Sequence, residues 1–178
     1  IIYRLRASTL VDAGVLAKPD IRMLPLEQQC EKATWQGVYG ECVVRSAKRN
    51  RLLTDVVQRA AKPCLVFVKE VRHGRELRAR LSKAGLRVEF AHGQHSIEWR
   101  QGMIASLERG ALDALVCTVV FQEGVDIPCL ESVVVGSGGK SAIAALQRIG
   151  RGMRSNGGTK QTFEVWDVAD KGHAWLER

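Results

Sequence analysis

The chain has 178 residues, 46% of them hydrophobic and 26% charged, which is one domain's worth of core-forming sequence and excludes a disordered chain. Its 27 basic against 19 acidic residues give a formal net charge of +8, a balance that favours a polyanionic partner, nucleic acid first. The longest apolar stretch, Ala114 to Phe121, is interrupted by Thr118 and is far too short for a membrane span.

No basic-then-apolar signal segment opens the chain, so a cytoplasmic location without membrane contact is expected. Ile1-Ile2-Tyr3-Arg4-Leu5 begins as if in mid-strand, and the residues up to about 40 are less regular, with two of the four prolines. The expectation is a connector over 1–40, leading from a preceding domain into one domain over 41–178.

Ser46 to Ala60 suits an amphipathic helix, with Leu52, Leu53, Val56, Val57 and Ala60 sharing a face. From Lys62 onward, strands and helices alternate. Cys64-Leu65-Val66-Phe67-Val68 is a continuous apolar run, the mark of a strand covered on both faces. Val71 to Ala84 reads as a helix with Leu77 and Leu81 inward, stopped by Gly85. Leu86 to Ala91 is the next strand. Ser96 then caps a helix expected to carry Ile97, Ile104 and Leu107 on its inner side, ending at Gly110. Strands follow at Ala114–Thr118, Ser132–Val135 and Thr162–Val168, with a helix from about Ser141 to Arg154 before the last. The pattern predicts an α/β fold: a three-layer α/β/α sandwich around a mostly parallel central sheet.

Ligands of such sheets sit at the carboxyl ends of the strands, which selects the loops after Lys69, Ala91, Thr118 and Gly136. Gly136-Ser137-Gly138-Gly139-Lys140-Ser141 invites a phosphate-cradle reading. Counting back from Gly139, however, puts the required first glycine on Val134, so the loop is two residues too short and a tight strand-to-helix turn is the better account. After the third strand, Gly124 allows close backbone approach and Asp126 is placed to accept hydrogen bonds from a ribose hydroxyl.

The strongest signal is Gln147-Arg148-Ile149-Gly150-Arg151-Gly152-Met153-Arg154. At 100° per residue, Gln147, Arg151 and Arg154 fall within about a quarter of the circumference, away from the face of Ile143, Leu146 and Met153. Two rigid guanidiniums aimed the same way suit a triphosphate whose terminal group gains charge in transfer. The five cysteines share no CxxC spacing, with Cys64 and Cys117 expected as buried thiols; the four histidines form no zinc pattern, so no metal site is expected.

Together these segments resemble the second RecA-like domain of superfamily-two helicases and translocases, over roughly residues 60 to 170. Cys64–Lys69 resembles motif IV, Thr118–Pro128 motif V, and Gln147–Arg154 motif VI in its Gln-x-x-Gly-Arg-x-x-Arg form; His92-Gly93 with Arg100 is similar to the segment between motifs IV and V. The Glu-Gly-Val-Asp-Ile-Pro wording and the glutamine of the last motif resemble the DExH branch, which includes DNA repair translocases, phage helicases and restriction-enzyme motor subunits.

The resemblance implies that Arg151 and Arg154 are arginine fingers reaching ATP, and that Asp126, with Gly124 nearby, contacts the nucleotide ribose. Gln147 would couple the cleft to the neighbouring domain; Gly93, Arg100 and Thr118 would touch phosphates of the tracked strand. Neither Gly-x-x-x-x-Gly-Lys-Ser/Thr nor an Asp-Glu dipeptide occurs here, so ATP and Mg2+ would be held mainly by an N-terminal RecA-like domain of the same protein. The expected partner is DNA rather than RNA. Two alternatives from other classes are a stand-alone nucleic-acid-binding module and a small nucleotide-dependent transferase working through Lys140.

Overall fold

The computed structural model describes residues 11–13, 17–118, 127–138 and 162–177. In chain order the elements are β1 (Lys18–Glu27), α1 (Trp35–Val38) running into a π-helical turn (Tyr39–Val44), α2 (Ala47–Arg59), β2 (Cys64–Phe67) and α3 (Val71–Lys83). They continue with β3 (Val88–Ala91), α4 (Ile97–Glu108), β4 (Ala114–Cys117), β5 (Ser132–Val135) and β6 (Thr162–Lys171). The six strands form one sheet in the order β1-β6-β5-β2-β4-β3, and every pairing is parallel.

From β2 to β3 the chain steps over β4; from β3 to β4 it steps back. Because such crossovers keep one hand, opposite steps place α3 and α4 on opposite faces. The core has that arrangement. Cys64 and Val66 pack with Leu53, Val56 and Val57 of α2 and Leu77 and Leu81 of α3. The alternate residues Leu65 and Phe67 pack with Leu107 of α4, against which Trp99, Met103 and Ile104 also lie. This is the three-layer α/β/α architecture expected from the alternating pattern. Helix α3 approaches β3 so closely that a Cβ on Gly74 would stand 2.1 Å from the Phe90 ring.

Two expectations need correction. Ile97 is not on the inner side of α4: it is 62% exposed, and Trp99 and Met103 take the packing positions instead. Ser96 caps the helix by accepting from Trp99 N at 3.2 Å. The helix is thus turned so that Trp99 of its first turn, and not Ile97, meets the core. The stretch before residue 40 is also more regular than its prolines suggest. It contains the ten-residue strand β1, paired along its whole length with β6, which itself runs on to Lys171 instead of stopping at Val168. Pro19 and Pro25 are tolerated there because β1 is the edge strand, where not every backbone N–H needs a partner.

Candidate functional site at the strand tips

Parallel pairing throughout puts all six carboxyl ends on one edge of the sheet. The ladder extends past the strands: Thr118 N donates to Ala91 O at 3.1 Å, Val68 N to Cys117 O at 3.0 Å and Gly136 N to Phe67 O at 2.8 Å. Lys69, Gly93, Thr118 and Gly136–Gly138 therefore leave the sheet from neighbouring positions. From β2 the chain leads towards β3, whereas β5 borders β6 on the other side. The reversal falls between β2 and β5, where open parallel sheets form their ligand crevice.

Gly93, Arg100 and Thr118 are brought to one stretch of this edge, around the tips of β3 and β4. Thr118 is 6% exposed and tied to β3 through its backbone. Gly93 is exposed in a short turn held by its neighbours: His92 N donates to His95 Nδ1 at 3.1 Å and Gln94 N to His92 Nδ1 at 3.4 Å. The rings continue as a column, with His92–His95 centroids 4.1 Å apart and His95–Trp99 stacked at 3.9 Å. Burial, then the neighbouring His95 and Arg75, hold His92 below the ordinary histidine pKa, which keeps its Nδ1 free to accept. Arg100, half-buried on the first turn of α4, has its Nε 3.4 Å from Ser96 O. Gly124, Asp126, Gln147, Arg151 and Arg154 lie outside the described residues, as does Lys140.

A buried polar network under the same edge escaped the sequence reading. Arg49, fully buried on the first turn of α2, pairs with Asp170 of β6, and its Nε lies 3.3 Å from Gly136 O. Gly138, at φ +61°, packs onto that pair: a Cβ there would meet Arg49 Nη2 at 3.2 Å and Asp170 Oδ2 at 3.3 Å. Next to Arg49, Asn50 donates from Nδ2 to Val44 O at 2.9 Å, so its Oδ1 is left to accept from His73 Nε2 at 2.8 Å. The signal was present in the helical spacing. Arg49 and Asn50 precede Leu53, Val56 and Val57 on one stripe, and His73 precedes Leu77 and Leu81 on another, so polar residues occupy core positions.

Burial, then the charge of Arg49, pull His73 from its ordinary 6.5 down to about 4, against a smaller opposite pull from Glu76. Its buried Nδ1 has no hydrogen-bond partner among the described residues, so protonation would place an uncompensated charge beside a guanidinium. A depressed folded-state value means stability is complete above 6.5 and is lost as pH falls towards 4. Chemical denaturation at pH 7 and pH 5 is expected to show a loss of about 2 kcal/mol that His73→Gln largely removes. An unchanged pH dependence in that variant would exclude His73 as the cause.

Cys64 and Cys117 are fully buried, and burial pushes both thiols up, Cys64 to about 11. Among the described residues no group of three or more His, Cys, Asp or Glu is placed to hold a metal, and no helix is long and apolar enough to cross a membrane.

Residues 47–156 match the family model described as the helicase conserved C-terminal domain. The ATP-dependent DNA helicase uvsW of enterobacteria phage T4 is 30% identical over 128 residues, 70% of this chain and 25% of that protein. The pre-mRNA-splicing ATP-dependent RNA helicase PRP28 of Yarrowia lipolytica is 34% identical over 119 residues, 65% of this chain and 21% of that protein. In three dimensions the crystal structure of T4 UvsW superposes with a TM-score of 0.66 at 24% identity, covering 85% of this chain and 32% of that one. The chain spans about a fifth to a quarter of the length of the curated relatives it matches.

Proposed function

The chain belongs to the helicase conserved C-terminal domain family, and we propose that it is the second motor domain of an ATP-dependent DNA helicase or translocase. The observation that carries this reading is the family match itself, which runs through Gly124, Asp126, Gln147, Arg151 and Arg154. In the proposed arrangement Arg151 and Arg154 supply positive charge to a nucleotide held by a first RecA-like domain of the same protein. Asp126 takes the ribose, and Gln147 links the cleft to the facing domain. ATP with Mg2+ supplies the free energy of γ-phosphate hydrolysis.

Packing in the turn after β5 supports the half-site reading. A Cβ on Gly136 would stand 3.0 Å from Phe67 O, and Gly138 is backed by Arg49 and Asp170. Gly136 and Gly138 thus have the protein's own atoms where a side chain would point, a packing that favours a structural turn over a phosphate cradle. Gly93, Arg100 and Thr118 take phosphates of the tracked strand. Their common position at the tips of β3 and β4 supports that role, since a threonine hydroxyl, a glycine that lets the strand approach closely and a guanidinium at one edge suit successive phosphates. The reading of DNA over RNA rests on the DExH-like wording of the motifs.

Purified by itself, the chain is expected to hydrolyse ATP only at background. A protein joining it to the first motor domain is expected to show turnover stimulated by single-stranded DNA more than by RNA of the same length. Arg151-dependent turnover by the chain alone would overturn the half-site assignment, and stimulation by RNA alone would overturn the choice of DNA.

A further inference from the structure

Trp35 is 38% exposed, although an indole this large is normally buried or engaged. It opens α1, where Thr34 caps the turn by accepting from Gly37 N at 3.2 Å. One helical turn later Tyr39 is buried beneath it, the ring centroids 5.5 Å apart and tilted by 41°. The ammonium of Lys69 stands 5.4 Å from the indole centroid and 5.3 Å from the Tyr39 ring. Lys69 is exposed, lies two residues beyond the end of β2, and forms no ion pair among the described residues. An indole and a cation held against it by cation–π contact therefore stand together at the same carboxyl edge as Gly93, Arg100 and Thr118, in a chain of net charge +8.

We propose that Trp35 and Lys69 form a base-stacking site for the tracked strand, the indole taking the face of an unpaired nucleobase and Lys69 an adjoining phosphate. The proposal rests on the motor-domain reading above and adds to its phosphate contacts a contact to a base. Three observations favour nucleic acid over a protein surface. The exposed ring is paired with a charge that an apolar pocket would have to desolvate at a cost. The combination of aromatic face and cation is the one that single strands use, sequence-independently, because every base has a π-face. The position is the strand-tip edge and not the outer face of a helix layer. Duplex bases are already stacked on each other, so the site selects single strands.

The test uses the full-length protein and an oligothymidylate carrying one 2-aminopurine, whose fluorescence reports stacking. Trp35→Leu, which keeps apolar bulk but has no ring, is expected to weaken single-strand binding about 5- to 150-fold, the equivalent of one stacked base. It is also expected to lose the fluorescence change on binding, while Trp35→Phe keeps most of both. Lys69→Gln is expected to reduce the slope of log affinity against log salt by about 0.7, one single-strand phosphate. A Trp35→Leu protein that binds and quenches like the parent overturns the proposal, as does an equal loss for duplex and single strand. Unaltered binding would also mark the indole as a surface for another protein domain. Arg154→Ala reports separately on the motor reading, so the two can fail independently.

Discussion

Arg154→Ala in the full-length protein is expected to lower kcat for ATP hydrolysis by about 10³- to 10⁵-fold, the range in which an arginine finger contributes to phosphoryl transfer. The size follows from where the charge develops. A guanidinium fixed beside the γ-phosphate is desolvated before the reaction starts, so its full interaction with the transition state counts. Arg154→Lys is expected to recover little, because an ammonium cannot reproduce the planar fork on phosphate oxygens. Single-strand affinity, measured without nucleotide at one fixed salt concentration, is expected to stay within a few-fold of the parent, since the proposed strand contact lies at Gly93, Arg100 and Thr118 and not at Arg154. Equal losses of turnover and DNA affinity would remove the finger assignment. Arg151→Ala should follow the same pattern.

Asp170→Ala is expected to cost about 3–5 kcal/mol of domain stability, the penalty of leaving one charge of a buried pair unmatched. Against a typical total of about 5–15 kcal/mol, that change alone unfolds a large fraction of the molecules. The Arg49 side chain has no solvent contact and that of Asp170 is 2% exposed, so water cannot replace the lost partner. Arg49 Nη2 is already buried without a hydrogen-bond partner among the described residues, which leaves no spare interaction there to compensate. Replacing both residues by apolar ones, Arg49→Met with Asp170→Leu, is expected to cost much less than the two single changes added together, because no charge then remains buried. Urea titration of the four proteins measures the coupling. An Asp170→Ala protein within 1 kcal/mol of the parent would show that the pair is not isolated from solvent. The pair joins α2 to β6 and backs the glycine turn after β5. Its loss should therefore loosen the start of the segment that carries Gln147, Arg151 and Arg154.

Much of the sheet was legible before any coordinates, for a local reason. Strands β2, β4 and β5 are buried at every position, and a strand covered on both faces reads as a near-continuous apolar run; the polar exception, Ser132, donates its hydroxyl to Ala61 O. Helix α4 was legible at its start because Ser96 satisfies a backbone N–H group that any helix leaves open, and α2 by its apolar face, with the Ser46 cap seen only in the structure. The motif residues could be listed for the same reason: glycine, aspartate and arginine at fixed offsets state a chemistry wherever the chain goes.

Strand β1 was not legible, because its sequence is mostly exposed, carries two prolines and takes its extended form from β6, more than a hundred residues away. The inward face of α4 was half legible: periodicity placed Ile104 and Leu107 correctly, but only the packing of the helix on the sheet decides that Trp99 and not Ile97 of its first turn faces the core. The same holds for Arg49 and Asp170, which read individually as surface charges and become a buried pair only when α2 and β6 meet. Local propensity and periodicity determined the elements, their order and the chemical vocabulary of the site. The tertiary structure alone decided which of those residues share an edge, because a parallel sheet brings together strand ends that the chain keeps far apart, and that proximity is invisible to any window of sequence.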